Sequence, residues 1–287
     1  MKKSEIAAKL FDKNIHRFKC TICDEGLRVI ERKSLVCRNG HCFDIARSGY
    51  VNMLTSGGGN SKYDKDLFVS RHIISEQGFF TPLVEYLAEL ISDDDIFIVD
   101  AGCGEGSIIY FLMNELKSMG YENVEASGID IAKEGVQLAA REHQGLIWMV
   151  GDITDIPFLS SQCDIILNIL SPSNYKEFRR VLQDDGTLVK VIPGDEYLLE
   201  LRQILFKDSD KARYSNETTI RHFKEHFNLA ANKTLRYEFP IDEENLKEII
   251  TMTPLAWSGG EEKYDIVKRS KLDSITVELV VLAGKKK

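Results

Sequence analysis

Two groups of residues in this chain have the types and spacings that chemistry requires. The first is Cys20, Cys23, Cys37 and His41, in the arrangement Cys-x2-Cys-x13-Cys-x3-His. Two thiols separated by two residues share one turn, and an intervening ribbon can fold the second pair against the first. That is the spacing of a four-ligand zinc site, and a closed set of four holds Zn2+ for structure rather than for catalysis. Cys42 adjoins His41 and competes with it for the fourth place. Cys103 and Cys163 lie far along the chain and read as small packing residues.

The second group is the loop Asp100-Ala-Gly102-Cys-Gly104-Glu105-Gly106, directly after the apolar run 96–99. Glycines after a strand let the backbone approach a ligand closely at the N-terminus of the following helix. The acids select the ligand. Asp100 and Glu105 would repel a pyrophosphate but suit the ammonium group of a methionine moiety. Asp130 ends the next strand, where a carboxylate accepts hydrogen bonds from ribose hydroxyls. Asp152 follows the third strand and can reach an adenine amine. Carboxylates at the ends of three successive strands point to S-adenosylmethionine rather than a nicotinamide cofactor. In the competing reading, Asp130 and Asp152 only cap the helices that follow them.

These side chains need a scaffold, and the hydrophobic pattern supplies one. Residues 1–15 read as a short amphipathic helix with Ile6, Leu10 and Phe11 as its stripe. Short apolar pieces at 27–30 and 34–36 read as strands of a small ribbon. Residues 56–61, Ser-Gly-Gly-Gly-Asn-Ser, read as a linker. A helical stretch covers 64–91, broken near Gly78, with Pro82 placed for a first helical turn. Strands are expected at 96–99, 125–129, 146–150, 164–169 and 186–192, with helices after the glycine loop to about Met119, at 132–143 and at 173–182. This alternation makes an α/β domain with a mostly parallel sheet. Two β-rich segments, 234–239 and 274–282, with a helical piece between them, close the sheet edge. The expected organisation is a zinc-binding module over 1–60 and a Rossmann-like methyltransferase domain over 61–287.

The 287 residues carry a net charge of -8, distributed as +5 over residues 1–60 and -13 over the rest. A basic module on an acidic body meets a polyanion first. No apolar run is long enough to cross a bilayer. The opening residues lack the apolar stretch of a signal peptide. Six cysteines without an export signal suit a reducing compartment, the cytoplasm, where clustered thiols bind metal.

The run from Cys20 to Leu54, including Cys37-Arg-Asn-Gly-His41-Cys-Phe43-Asp-Ile-Ala46-Arg-Ser-Gly49-Tyr-Val-Asn52, resembles the bacterial large-subunit ribosomal RNA guanine-N1 methyltransferases. So do the loop 100–106 and Met252-Thr-Pro-Leu-Ala-Trp257. The resemblance spans nearly the whole chain, although the glycine loop is shared by many methyltransferases. It implies a zinc-ribbon module joined to a Rossmann-like domain, often as a homodimer, acting on one of two guanines, 745 and 748, in a 23S rRNA hairpin. One branch of the family is linked to tylosin-type macrolide resistance. The segment Asn168-Ile-Leu-Ser171-Pro-Ser-Asn174-Tyr175 is closer to the branch acting at 748. Carried onto this chain, the resemblance makes Cys20, Cys23, Cys37 and His41 the zinc ligands and Gly104 and Glu105 contacts of the methyl donor. An aromatic donor contact falls on Phe80, where some members have tyrosine. Another, a histidine in some members, falls on Tyr197.

Guanine N1 bears a proton, so it becomes a good nucleophile only when that proton leaves. The acceptor is expected beyond the fourth strand, with Asn168 and Ser171 orienting the base edge. No decisive general base stands in that segment. Tyr175, Tyr197 or Trp257 could stack on an extruded base, and Arg28, Arg32, Lys33, Arg38 and Arg47 could grip RNA. The alternatives are a small-molecule or protein methyltransferase with a structural zinc ribbon, and a non-catalytic RNA-binding protein.

Overall fold

The computed structural model describes residues 1–55, 65–206, 215–253 and 260–287, with backbone alone over 260–263. The expected linker at 56–61 and Trp257 lie outside the described residues. The chain opens with α1 (Lys3–Asn14), which buries Ala7, Ala8, Phe11 and Asn14. Of the expected stripe only Phe11 is fully buried, because Ile6 and Leu10 flank the contact rather than centre it. Twelve residues are too few for a stable isolated helix, so packing holds this one.

Three short strands follow, β1 (Leu27–Ile30), β2 (Ser34–Cys37) and β3 (Cys42–Asp44), forming an antiparallel ribbon. Next come β4 (Tyr50–Asn52), α2 (Lys65–Glu76), α3 (Thr81–Glu89), β5 (Phe97–Ala101), α4 (Ser107–Ser118), β6 (Glu125–Asp130), α5 (Lys133–Glu142), β7 (Ile147–Val150), β8 (Cys163–Ile169), α6 (Tyr175–Val181) and β9 (Leu182–Pro193). The remainder comprises α7 (Leu199–Leu205), α8 (Glu217–His226), β10 (Phe227–Pro240), α9 (Glu243–Met252), α10 (Gly260–Ser270) and β11 (Ser274–Lys286).

The large sheet has the order β10-β11-β9-β8-β5-β6-β7-β4. β11 runs antiparallel to both its neighbours, and the strands from β9 to β4 are parallel. Every residue of β5 and β7 is buried, as expected for strands covered by helices on both faces. The strand order reverses at β5, flanked by β6 on one side and β8 on the other. A crevice forms there at the carboxyl ends of the strands, where α/β folds bind ligands.

The observed elements extend the expected ones. β9 starts at Leu182 rather than 186, and β10 starts at Phe227 rather than 234. In β10 the added residues beyond buried Phe227 are exposed or half-buried, and polar edge residues weaken the apolar signal. Among the described residues two helices, not one, lie between β10 and β11. α7 and α8 fall where no element was expected.

The N-terminal module shares its core with the large sheet. β4 extends that sheet by pairing with β7. Phe18 bridges to Phe158, with ring centroids 4.8 Å apart, and Phe158 packs on Phe97 of β5 at 5.9 Å. Phe11 joins the same stack at 5.5 Å from Phe18. Each such phenyl contributes about 1.5–3 kcal/mol when fully buried. Beside them, nearly buried Lys19 forms 2.7 Å ion pairs with both Asp24 of the module and Asp155 of the loop between β7 and β8.

Candidate active site and metal centre

The ribbon brings Cys20, Cys23, Cys37 and His41 to one point, all ligand atoms lying within 4.8 Å of one another. Cys23 Sγ and Cys37 Sγ are 3.7 Å apart. His41 Nδ1 lies 3.5 Å from Cys20 Sγ, 3.3 Å from Cys23 Sγ and 3.4 Å from Cys37 Sγ. A tetrahedral zinc with ordinary bond lengths requires edges of about 3.8 Å between sulfurs and about 3.5 Å between sulfur and nitrogen. These four side chains therefore fit the ion, with His41 presenting Nδ1. Cys42 is exposed, with its thiol directed at Asp44 Oδ1 3.8 Å away, and takes no part in the cluster.

The glycine loop joins β5 to α4 at the point where the strand order reverses. Gly102, Gly104 and Gly106 all have positive φ, at 90°, 57° and 79°. Gly106 caps α4, and a Cβ there would lie 2.4 Å from the indole of Trp148. A Cβ on Gly102 would lie 2.0 Å from Ser171 Oγ. Both positions thus exclude side chains by conformation and by space.

Asp100 and Glu105 are each only 2% exposed. Asp100 Oδ1 is buried without a hydrogen-bond partner. Burial, then the charges of Asp130 and Glu105, push its carboxyl well above the usual carboxylate range. Burial also raises Glu105, against the opposing pull of Arg71 and Ser107. Asp130 is raised by burial too, against hydrogen bonds from the amides of Ala132 at 2.8 Å and Gly104 at 2.9 Å. Those two amides occupy part of its acceptor capacity and leave lone pairs for ribose hydroxyls. Three buried acids with Arg71 as the nearby cation would be drawn to their charged forms by a cationic ligand. A ligand carrying a sulfonium and an ammonium group offsets the cost of ionising these buried acids, so the residues fit S-adenosylmethionine. Asp152 is half-buried at the end of β7, and its Oδ1 accepts a 2.8 Å hydrogen bond from the Thr154 amide.

A cleft of about 510 Å3 opens beside the loop. One wall is Arg71, Phe80 and Tyr197, and the opposite wall is the turn Ser171-Pro172-Ser173 after β8. Phe80 begins α3 and meets Phe79 edge-on at 4.8 Å, while Tyr237 donates its hydroxyl to the Phe79 carbonyl at 2.7 Å. Lacking a hydroxyl, Phe80 offers the ligand an apolar surface only. Burial pushes the Tyr197 phenol up to about 12, so it stays neutral at physiological pH.

Asn168 is placed differently from the sequence expectation. It is fully buried, and its amide is already occupied. Nδ2 donates to the carbonyls of Ala101 at 2.7 Å and Pro172 at 3.0 Å, and Oδ1 accepts from Ser173 Oγ at 2.8 Å and Lys190 Nζ at 2.6 Å. It ties the glycine loop to the cleft wall instead of facing a base edge. Tyr175 is also corrected: its ring stacks on His226 at 5.0 Å and packs among Phe178, Phe223 and Phe227, so that face is not free for a base. Arg71 and Lys190 are cleft residues that sequence reasoning missed. Nothing in their local pattern marks them, although a lysine inside the apolar strand Leu188-Val-Lys190-Val-Ile192 is a discord worth noticing.

The five expected RNA-gripping cations are all exposed on the module. Arg38 pairs with Glu25 and Lys33 with Glu31. Arg28, Arg32 and Arg47 carry no ion pair among the described residues.

Comparison with known proteins gives a consistent picture. Residues 18–62 match the family model described as "RlmA, N-terminal", and residues 98–186 match a model described as "Methyltransferase domain". The Bacillus subtilis protein YxjB, whose naming as a 23S rRNA (guanine-N1)-methyltransferase is itself provisional, is 40% identical, over 94% of this chain and 97% of that protein. The 23S rRNA (guanine(748)-N(1))-methyltransferase of Streptomyces fradiae is 30% identical, over 85% of this chain and 88% of the enzyme. A Micromonospora griseorubida protein of similar provisional name is 28% identical over 92% of this chain and 94% of that protein.

Proposed function

Because the chain belongs to the family of 23S rRNA (guanine-N1)-methyltransferases, we propose that it methylates N1 of a guanine in a 23S rRNA hairpin in the cytoplasm, at 748 in preference to 745. The preference for 748 draws on the named specificity of the Streptomyces fradiae relative. The observation that carries the reading is the cleft lined by the turn 171–173, Arg71, Phe80, Lys190 and Tyr197, whose Ser171 lies directly against Gly102 of the glycine loop. Its volume suits one extruded nucleobase beside a methyl donor, and a paired duplex could not enter it.

S-Adenosylmethionine supplies an electrophilic methyl carbon on a sulfonium. The chain's own residues do the rest by alignment, which is the larger part of catalysis for an in-line displacement. Asp130 would hold ribose hydroxyls, Asp100 and Glu105 would face the ammonium group, whose charge favours their ionised forms, and Asp152 would take the adenine amine. Gly102 and Gly104 let the backbone close on the ligand. Arg71 is placed to receive the donor's carboxylate, and Phe80 covers its apolar surface. Ser171 forms the acceptor wall, and Tyr197 offers a ring for stacking the base. Zn2+ on Cys20, Cys23, Cys37 and His41 holds the ribbon in shape.

The test is methyl transfer from labelled donor to protein-free 23S rRNA lacking the modification, followed by primer extension. N1 methylation blocks base pairing, so reverse transcription stops at the modified base. The expected result is one stop at guanine 748. Good donor binding with no incorporation into either protein-free RNA or ribosomal particles would favour a small-molecule or protein substrate instead.

The basic ribbon is read as the RNA grip. Reversing Arg28, Arg32 and Arg47 together to glutamate should weaken binding of the hairpin at least about tenfold near 0.15 M salt and flatten its salt dependence. Filter binding across a salt series measures both, and unchanged affinity would remove the ribbon from the RNA interface. The family's homodimer is part of the same reading, and sedimentation equilibrium measures it directly.

A further inference from the structure

The N1 proton must go somewhere, and the turn beyond β8 offers no group to receive it. The neighbouring strand does. Lys190, in β9 directly across from Asn168, is 3% exposed, yet it lines the cleft. Its Nζ donates to Asn168 Oδ1 at 2.6 Å and to the Ser171 carbonyl. Among the described residues it has no carboxylate partner. A buried ammonium without a counter-ion is costly, so such a lysine is unusual unless its neutral form is useful.

We propose that Lys190 is the general base of the methyl transfer, taking the N1 proton of the guanine through the one Nζ valence left facing the cleft. This rests on the guanine reading above. A neutral amine has two N–H bonds and one lone pair. Asn168 Oδ1 and the Ser171 carbonyl use both N–H bonds, and tetrahedral geometry turns the lone pair away from them. Burial lowers Lys190 to about 8, which leaves roughly a tenth of it neutral at pH 7. No charged neighbour contributes to that shift; the titratable groups around the cleft are Arg71 of α2, Tyr175 of α6, Tyr197 and His222 of α8.

The step balances. The N1–H bond breaks and its proton passes to the Lys190 lone pair, forming an ammonium. The N1 electron pair bonds to the methyl carbon, and the carbon–sulfur pair stays on sulfur, which becomes a neutral thioether. One positive charge is thus exchanged between donor and lysine. The buried ammonium then loses its proton to solvent before the next turnover. Asn168 is in this scheme a positioning residue, holding Nζ at the acceptor wall while tied to the glycine loop.

The test uses the full-length zinc protein and single-turnover methylation of 23S rRNA by wild type, Lys190→Ala and Lys190→Arg. General-base loss should slow both variants about 10²–10⁴-fold. Donor affinity and melting temperature report any fault in folding. The wild-type rate should rise with pH through about 8 and then level. Added methylamine should restore Lys190→Ala by at least about tenfold, but not Lys190→Arg, whose guanidinium fills the site and does not deprotonate. A Lys190→Arg rate within threefold of wild type would overturn the proposal, since it would leave only a cationic or structural role. A separate readout is 15N-lysine NMR, with the Lys190 signal identified by its loss in Lys190→Arg. Titration at the ordinary lysine value would overturn the proposal even if the wild type failed on rRNA, an outcome that counts against the substrate reading alone.

Discussion

Replacing Cys37 with serine should abolish stoichiometric zinc and lower the melting temperature of the whole chain by at least about 6 °C. Cys37 is 1% exposed, with its sulfur 3.7 Å from Cys23 Sγ and 3.4 Å from His41 Nδ1. Structural zinc contributes about 10–16 kcal/mol of binding free energy in isolated small modules. Only part of that is felt by the rest of this chain, because the Phe11–Phe18–Phe158–Phe97 stack holds the module independently. A loss of about 3 kcal/mol, at about 2–4 °C per kcal/mol for a domain of this size, gives the stated shift. The coupling arises because β4 leaves the ribbon to become the sheet's edge strand beside β7. Cys42→Ser is the control: its thiol lies outside the cluster, so one zinc per chain and an unchanged melting curve are expected. Elemental analysis of the purified proteins with calorimetric melting checks both. If Cys37→Ser keeps its zinc while Cys42→Ser loses it, the ligand assignment is wrong.

The ribbon and the donor loop were legible because each is a local pattern. Ligand spacing fixes which side chains one turn can bring together, and a glycine loop after an apolar strand has few conformations open to it. Parallel strands buried on both faces announce themselves as apolar runs, so β5 to β8 fell close to their expected places. The acceptor side was much less legible. Asn168 sits behind the cleft wall, and a sequence cannot reveal that all its hydrogen bonds are already committed. Lys190 and Arg71 enter the cleft from β9 and α2, more than a hundred residues apart, and only the sheet order brings them together. Tyr175 looked available because its partners, His226 and Phe223, lie on a helix whose charged surface hid it from the hydrophobic pattern. Residues 1–60 read as a module of their own, whereas the core runs continuously from Phe11 into the sheet.

Gly102→Ala should reduce methyl transfer by at least about 100-fold and weaken donor binding about tenfold or more, while the protein remains folded. Two costs combine. The residue sits at φ 90°, where an alanine is strained by about 1–2 kcal/mol. Its Cβ would also lie 2.0 Å from Ser171 Oγ and 2.6 Å from Ser171 Cβ, so the turn at 171–173 must move. That turn cannot move alone, because its Ser171 carbonyl holds Lys190 and its Pro172 carbonyl and Ser173 hydroxyl hold Asn168. One methyl group therefore disturbs the donor loop, the acceptor wall and the proposed base together, and a misplacement of about 1 Å at such a site costs about 10²-fold in rate. Gly120→Ala separates the two costs: at φ 95° with open space around its Cβ, it carries the backbone strain without the collision and lies outside the cleft. It should lose stability and keep full activity. Isothermal titration with S-adenosylmethionine, single-turnover rates and melting curves on both variants distinguish the cases. Should Gly102→Ala lose stability as Gly120→Ala does but methylate normally, the turn at 171–173 would have to be a yielding loop rather than the fixed wall of the acceptor site.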